Sequence, residues 1–388
     1  MITAIFAVSV LSGWAEGQRG GGAEGHYRCA ERRCGPSSHR SGPSAPLPVR
    51  PSAPLLYVTN QDDATISVID MRSQRVVETI DLQKLGFGPA AKPHHAQVEP
   101  DGSYWYATLI GAGKVLKFDR SNRIVGSVDL EVPGLIALHP TRDLMLVARS
   151  MSAVNPPRRI ALIRRSDMKL LDEIDIFFPR PHAIVTAGDY AYVASLGVNQ
   201  LASVKLDDGT VTLVDVEGPQ HTLTQFAISP DRRWLTATGS TSNQLLVYGL
   251  ANPARPQLAR TIPMEKGPFE SGFTWDGRWI VVTNLDANAV SFVSTTSWKP
   301  EYVVRDSSFQ QPHGVGVGPD GAFVYVSNRY QAGGAHDHEG HKPTGAGNVV
   351  AICIPTHAVA AVMPTGHYSA GIGIGVPESK PATPAGCS

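Results

Sequence analysis

The sequence predicts an all-β protein, a seven-bladed β-propeller closed by pairing its C-terminal strand with its N-terminal blade. Three observations lead to that fold. A phrase recurs with variations, as Leu56-Tyr57-Val58-Thr59-Asn60, Ile280-Val281-Val282-Thr283-Asn284 and Val324-Tyr325-Val326-Ser327-Asn328, and repetition of this kind means that one supersecondary unit is copied and stacked. Most copies are preceded by a short apolar run and a turn, Pro100-Asp101-Gly102, Pro230-Asp231-Arg232, Trp275-Asp276-Gly277 or Pro319-Asp320-Gly321, and Asp-Gly between two apolar runs is a hairpin signal. The units open at Pro93, Pro133, Pro181, Pro219, Pro268 and Pro312, spaced 40, 48, 38, 49 and 44 residues apart, close to the roughly 40 to 50 of a propeller blade.

The elements follow in chain order. Residues 1–15 have the apolar run Ile2 to Leu11 followed by Gly13-Trp14-Ala15, the length and small-residue ending of a signal peptide, although no Lys or Arg precedes the run. Residues 16–53 are rich in Gly, Arg, Ser and Pro without periodicity and read as a disordered leader. Each unit from 54 to 377 then supplies four antiparallel strands. One resembles Thr65 to Asp70 and the next Val76 to Ile80. The first Tyr-Val-Thr-Asn strand has no inner strand before it, and the strand near Gly366 to Ile374 has no partner after it, so the two halves complete one blade and leave no long free edge. Residues 378–388 read as a flexible tail.

Composition agrees with an all-β chain. There are 38 glycines and 30 prolines, and only 18% of residues are charged, which suits many turns and few helices. Lys plus Arg and Asp plus Glu both number 34, so no electrostatic footprint favours nucleic acid or an anionic membrane. The apolar leader is too short to span a bilayer. The four cysteines, Cys29, Cys34, Cys353 and Cys387, form no Cys-x-x-Cys-His or paired Cys-x-x-Cys motif. They read as incidental thiols, with a Cys29–Cys34 disulfide open to them in an oxidising compartment.

Candidate chemistry lies with histidine. Aligning the unit openings puts His94, His95, His182, His221, His313 and His367 at the start of inner strands, with Gly134 and Phe269-Glu270 in the other blades. Inner strands line the channel, so these residues are expected to ring one mouth. The connection between the second and third strands returns to that same face, and its longest example, Gln331 to Gly347, carries His336, His338 and His341 with Asp337 and Glu339. Clustered imidazoles suit copper, zinc, iron or nickel, and Glu270 would serve as an oxygen ligand or general base. Against this stands a structural reading, in which each ring bonds a neighbouring backbone carbonyl. His94 and His95, adjacent in a strand, share a face only if the strand is irregular there. Trp105, Trp234 and Trp279 recur at one place and read as packing between blades.

On these motifs the chain resembles the YVTN-repeat (YncE-like) seven-bladed propellers, from Pro54 to Pro377. The resemblance implies a periplasmic or secreted location and leaves function open, since fold does not fix function. His94-His95 ahead of Asp101-Gly102 is also similar to the strand that opens with a His-His pair in the nitrous oxide reductase propeller, which implies a copper-type oxidoreductase. Gly134 and Phe269-Glu270 break the ligand pattern, and no cupredoxin domain follows. A lactonase-like hydrolase would draw on Glu270, Arg149, Arg158 and Arg329. The expectation is a monomeric scaffold that binds a protein or small molecule at the mouth. It is read as a binding module ahead of an enzyme, with a transition metal, copper or zinc, as its candidate cofactor.

Overall fold

The computed structural model describes residues 54–150, 152, 155–330, 345–375 and 387. Every regular element among them is a β-strand, and the strands form seven four-stranded sheets. The first blade takes β1 (Leu55–Asn60), β2 (Thr65–Asp70) and β3 (Arg75–Asp81). The second holds β4 (Pro93–Val98), β5 (Tyr104–Leu109), β6 (Lys114–Asp119) and β7 (Ile124–Asp129), and the third β8 (Ile136–Leu138), β9 (Met145–Val147), β10 (Arg159–Arg164) and β11 (Lys169–Asp175). The fourth blade is β12 (Pro181–Ala187), β13 (Tyr190–Ser195), β14 (Gln200–Lys205) and β15 (Val211–Asp215), and the fifth β16 (Leu223–Ile228), β17 (Trp234–Gly239), β18 (Gln244–Gly249) and β19 (Gln257–Pro263). The sixth is β20 (Pro268–Phe273), β21 (Trp279–Asn284), β22 (Ala289–Ser294) and β23 (Lys299–Val304). The seventh is β24 (Pro312–Val317), β25 (Phe323–Asn328), β26 (Asn348–Cys353) and β27 (Ala358–Pro364), after which β28 (Ser369–Ile374) returns to the first blade. There it pairs antiparallel with β1, Leu56 opposite Ile374 and Asn60 opposite Ser369. The inner strands touch in a closed cycle, β28 to β4, β8, β12, β16, β20, β24 and back to β28. The ring is therefore a seven-bladed propeller closed as expected.

The repeated turns are explained by local chemistry. Asp101, Asp231, Asp276 and Asp320 each accept, on Oδ1, the backbone N–H two residues on, at 2.8, 3.1, 3.0 and 3.0 Å. Gly102, Gly277 and Gly321 follow with φ of 64°, 71° and 70°, the left-handed region that glycine enters without a Cβ penalty. The fifth blade puts Arg232 there, at φ 58°.

The core lies between blades, because a single sheet cannot bury both its faces alone. Each interface has its own apolar cluster. Tyr57, Ile66 and Val68 of the first blade meet Trp105, Leu116 and Phe118 of the second, while Leu56 and Ile69 meet Tyr325, Val349 and Ala351 of the seventh. Trp105 is buried between Tyr57 and Phe118, its ring stacked 4.2 Å and 3.9 Å from theirs, which is the packing role expected of it.

The Thr of the repeated phrase has a role that periodicity did not reveal. Thr59 Oγ1 accepts Gly371 N–H of its own blade at 2.9 Å and donates to His94 C=O of the next at 3.1 Å. Thr238 does the same between Gln225 N–H and Phe269 C=O, Thr283 between Glu270 N–H and His313 C=O, and Ser327 between Gly314 N–H and Ala370 C=O. Each hydroxyl latches one inner strand to the next. Ala148 and Ala194 stand at this place in the third and fourth blades.

The cysteine expectation is corrected here. Cys353 of β26 and Cys387 form a disulfide, so these two are not incidental thiols, and the tail is tied at Cys387. Ring closure brings together residues 34 apart in sequence. Cys29 and Cys34 lie outside the described residues. No helix among the described residues is long and apolar enough to cross a membrane.

Candidate functional site

The inner strands begin with an irregularity. In β4 the register slips between Pro93 and His95, in β12 between Pro181 and Ala183, in β20 between Pro268 and Ser271, and in β24 between Pro312 and Val315. This bulge supplies the irregular strand that His94 and His95 need, and it defines a common position. His94, His182 and His313 occupy it, as do Thr224, Phe269 and Ala370, while in the third blade Gly134 stands at the matching place just ahead of β8, whose pairing has no slip. His221 and His367 do not, which corrects the expected ring. Both fall two residues ahead of their strands, β16 and β28. His221 has its two ring nitrogens engaged, by Ser242 Oγ and Glu217 C=O, each at 2.9 Å. His367 is 43% exposed and pairs with Asp63 at 2.9 Å. His336, His338 and His341 lie outside the described residues.

The buried mouth residues are largely spent on holding blades together. His95 Nδ1 accepts Ile136 N–H of the next blade at 3.2 Å, which uses the lone pair on that nitrogen, so His95 is not a ligand through Nδ1. Burial, with His182 nearby, pushes its pKa down to about 3, so the ring is neutral. Glu270 repeats the arrangement one half-turn round the ring, accepting Val315 N–H on Oε2 at 3.2 Å. Its burial drives the carboxyl pKa up to about 8, opposed by that hydrogen bond. Desolvation disfavours the charged form in both groups. His182 Nδ1 donates to Thr224 C=O at 2.7 Å, the carbonyl that a Thr hydroxyl would hold if Ala194 were Thr, so this imidazole takes over the missing latch. His94 Nδ1 lies 2.9 Å from the amide nitrogen of Gln61, an N–H donor.

Two contacts bring imidazoles and acid together. The rings of His94 and His182 are 5.8 Å apart across the third blade, where Gly134 contributes no side chain. His313 packs 4.4 Å from the Phe269 ring, with its Nδ1 3.6 Å from Glu270 Oε1. Among the described residues no three His, Cys, Asp or Glu side chains come together as a metal site.

The arginines separate. Arg149 is buried and paired with Glu173 and with Glu131, the latter at 2.9 Å. Arg158 is exposed and donates to Phe177 C=O at 2.5 Å. Neither converges with Glu270 by any contact seen here. Arg329, just past β25, is fully buried, and its guanidinium sits 4.2 Å over the ring of Tyr368, itself 5% exposed. Among the described residues, neither the three guanidinium nitrogens nor the Tyr368 hydroxyl has a hydrogen-bond partner. The sequence reading named Arg329 by alignment alone and missed Tyr368, whose burial depends on a ring closure that no local pattern reports.

No known family profile and no curated protein matches the chain. Among solved structures it is similar to the dihydro-heme d1 dehydrogenase NirN in complex with DHE, with a TM-score of 0.55 and 15% identity over 83% of this chain and 77% of that one. Likeness at that identity is likeness of fold. The class defined here is a β-propeller with a buried polar mouth.

Proposed function

We infer that this protein is an exported propeller of YVTN type that binds a small ligand at the mouth where its inner strands begin. The observation that carries the reading is what remains after the latches are counted: a buried guanidinium, a buried phenol and the Asn284 Oδ1 atom, all on that face and without hydrogen-bond partners among the described residues. Buried polar groups in folded proteins are nearly always satisfied, and those that are not mark places where a further group belongs. Export is supported by the Cys353–Cys387 disulfide, since such bonds persist in oxidising compartments. That another propeller of similar fold holds DHE is consistent with a ligand-bearing role.

A metal reading retains one support, the His94–His182 pair. One experiment addresses both. The untagged full-length chain, expressed with export and with copper and zinc supplied, is weighed by native mass spectrometry beside a His94→Ala/His182→Ala/Arg329→Met variant. An organic adduct held by the wild type and lost by the variant supports ligand binding, and a metal adduct behaving so supports the metal reading. Bare mass in both proteins overturns both.

A further inference from the structure

Arg329 is the least explained side chain of the described residues. It has 0% exposure, no hydrogen bond from any of its three nitrogens, and no carboxylate within ion-pair distance among the described residues. Burial pulls its pKa below the usual guanidinium value, while Tyr368, Asp286 and Asp62 pull it back, and arginine stays protonated in proteins. A buried charge lacking a partner is costly to keep. The backbone around it is nonetheless firmly placed. Arg329 N–H donates to Gln311 C=O at 3.3 Å, directly ahead of Pro312-His313, and Tyr368 C=O accepts Gln61 N–H at 3.0 Å, the same Gln61 whose amide meets His94. The Arg329–Tyr368 pair therefore belongs to the mouth, at the first blade, where Ala370 leaves the bulge position small.

We propose that Arg329 and Tyr368 anchor the carboxylate of a small monoanionic ligand. This rests on the mouth being a ligand site and names the chemistry of what enters it. The guanidinium fork matches a carboxylate with two parallel N–H···O bonds, and the phenol O–H supplies a third donor. The guanidinium carbon stands 4.2 Å over the Tyr368 ring, which holds side by side the guanidinium and phenol donors that have no partner among the described residues. Asp62, in the turn after β1, and Asp286, in the turn after β21, are the acids whose charge reaches Arg329. Their charge weighs against a dianion, so the ligand class proposed is a single carboxylate and sulfate is the control.

Thermal melting of the full-length chain tests this, with sodium acetate titrated against sodium chloride and sodium sulfate at matched ionic strength. Acetate is expected to raise the wild-type melting temperature in a saturating manner, with sulfate and chloride ineffective. Arg329→Met, unbranched, shorter and uncharged, is expected to melt at or above the wild type without anion and to lose the acetate response. Arg329→Lys, which keeps charge without the fork, is expected to weaken acetate roughly tenfold, and it stands in should Arg329→Met not fold. An equal acetate response in wild type and variants, or none in the wild type, overturns the carboxylate anchor. If the wild type shows no acetate response but keeps an adduct that the mouth variant loses in native mass spectrometry, this inference fails while the wider reading stands. Loss of both sinks both.

Discussion

The disulfide between Cys353 and Cys387 closes a covalent loop that contains β27 and the closing strand β28. Cutting it by Cys387→Ser therefore frees the strand on which ring closure depends. The separation of 34 residues corresponds, by chain entropy, to about 4 kcal/mol of stability. A domain of this size gains unfolding entropy of about 0.7 kcal/mol per degree, so the melting temperature should fall by about 6 °C. The assay is calorimetric melting of wild type and Cys387→Ser with and without dithiothreitol. Reductant should bring the wild type down to the variant and leave the variant unchanged. A variant that melts with the oxidised wild type would refute the reasoning. So would a non-reducing digest in which Cys387 is free or joined to Cys29 or Cys34.

Four further outcomes are expected. Thr283→Val leaves Glu270 N–H and His313 C=O, both latched by that hydroxyl, without their partner and should cost about 1–3 kcal/mol in urea unfolding; a change below a few tenths would mean that the latch is idle. Glu270, whose folded pKa is raised to about 8, binds a proton that the unfolded chain has released, so stability should fall as pH rises from about 4.5 to 8. Glu270→Gln keeps an acceptor for Val315 N–H and should flatten that fall. His95, with its folded pKa lowered to about 3, contributes the opposite slope below about 6.5, so in the wild type the two nearly cancel between about pH 4.5 and 6.5 and the Glu270 fall emerges from about 6.5 to 8. A wild-type profile flat over that upper range would contradict the Glu270 sign, and a Glu270→Gln profile flat from about pH 4 to 6.5 would contradict the His95 sign. Arg232→Gly removes a Cβ from a left-handed backbone position and should raise stability by a few tenths of a kcal/mol to about 1 kcal/mol, read from the urea midpoint; a lowered midpoint would contradict it.

The strands, turns and closure were legible in the chain because their signals are local. Pro-Asp-Gly sets its own turn, and alternating Val, Thr and Tyr set their own strand. The candidate site was less so. His221 and His367 follow a Pro or Gly at nearly the right spacing, but the bulge, not the Pro, decides where an inner strand starts, and both fall short of it. His182 looks like a ligand in sequence and serves as a latch because Ala194 lacks a hydroxyl, a fact of the neighbouring strand. The Cys353–Cys387 bond and the Arg329–Tyr368 stack join segments that meet only when the ring is complete, so no local pattern could show them.

The latches have a consequence for how such a molecule changes over time. They grip backbone carbonyls, His94 C=O, Phe269 C=O, His313 C=O and Ala370 C=O among them, and a carbonyl is indifferent to the side chain of its own residue. At those four blades the bulge position thus holds His94, Phe269, His313 and Ala370 without altering how the blades are fastened, whereas His182, beside Ala194, is itself the fastener. Binding specificity at the mouth is writable one blade at a time, with assembly of the ring left in the hands of a residue one strand away.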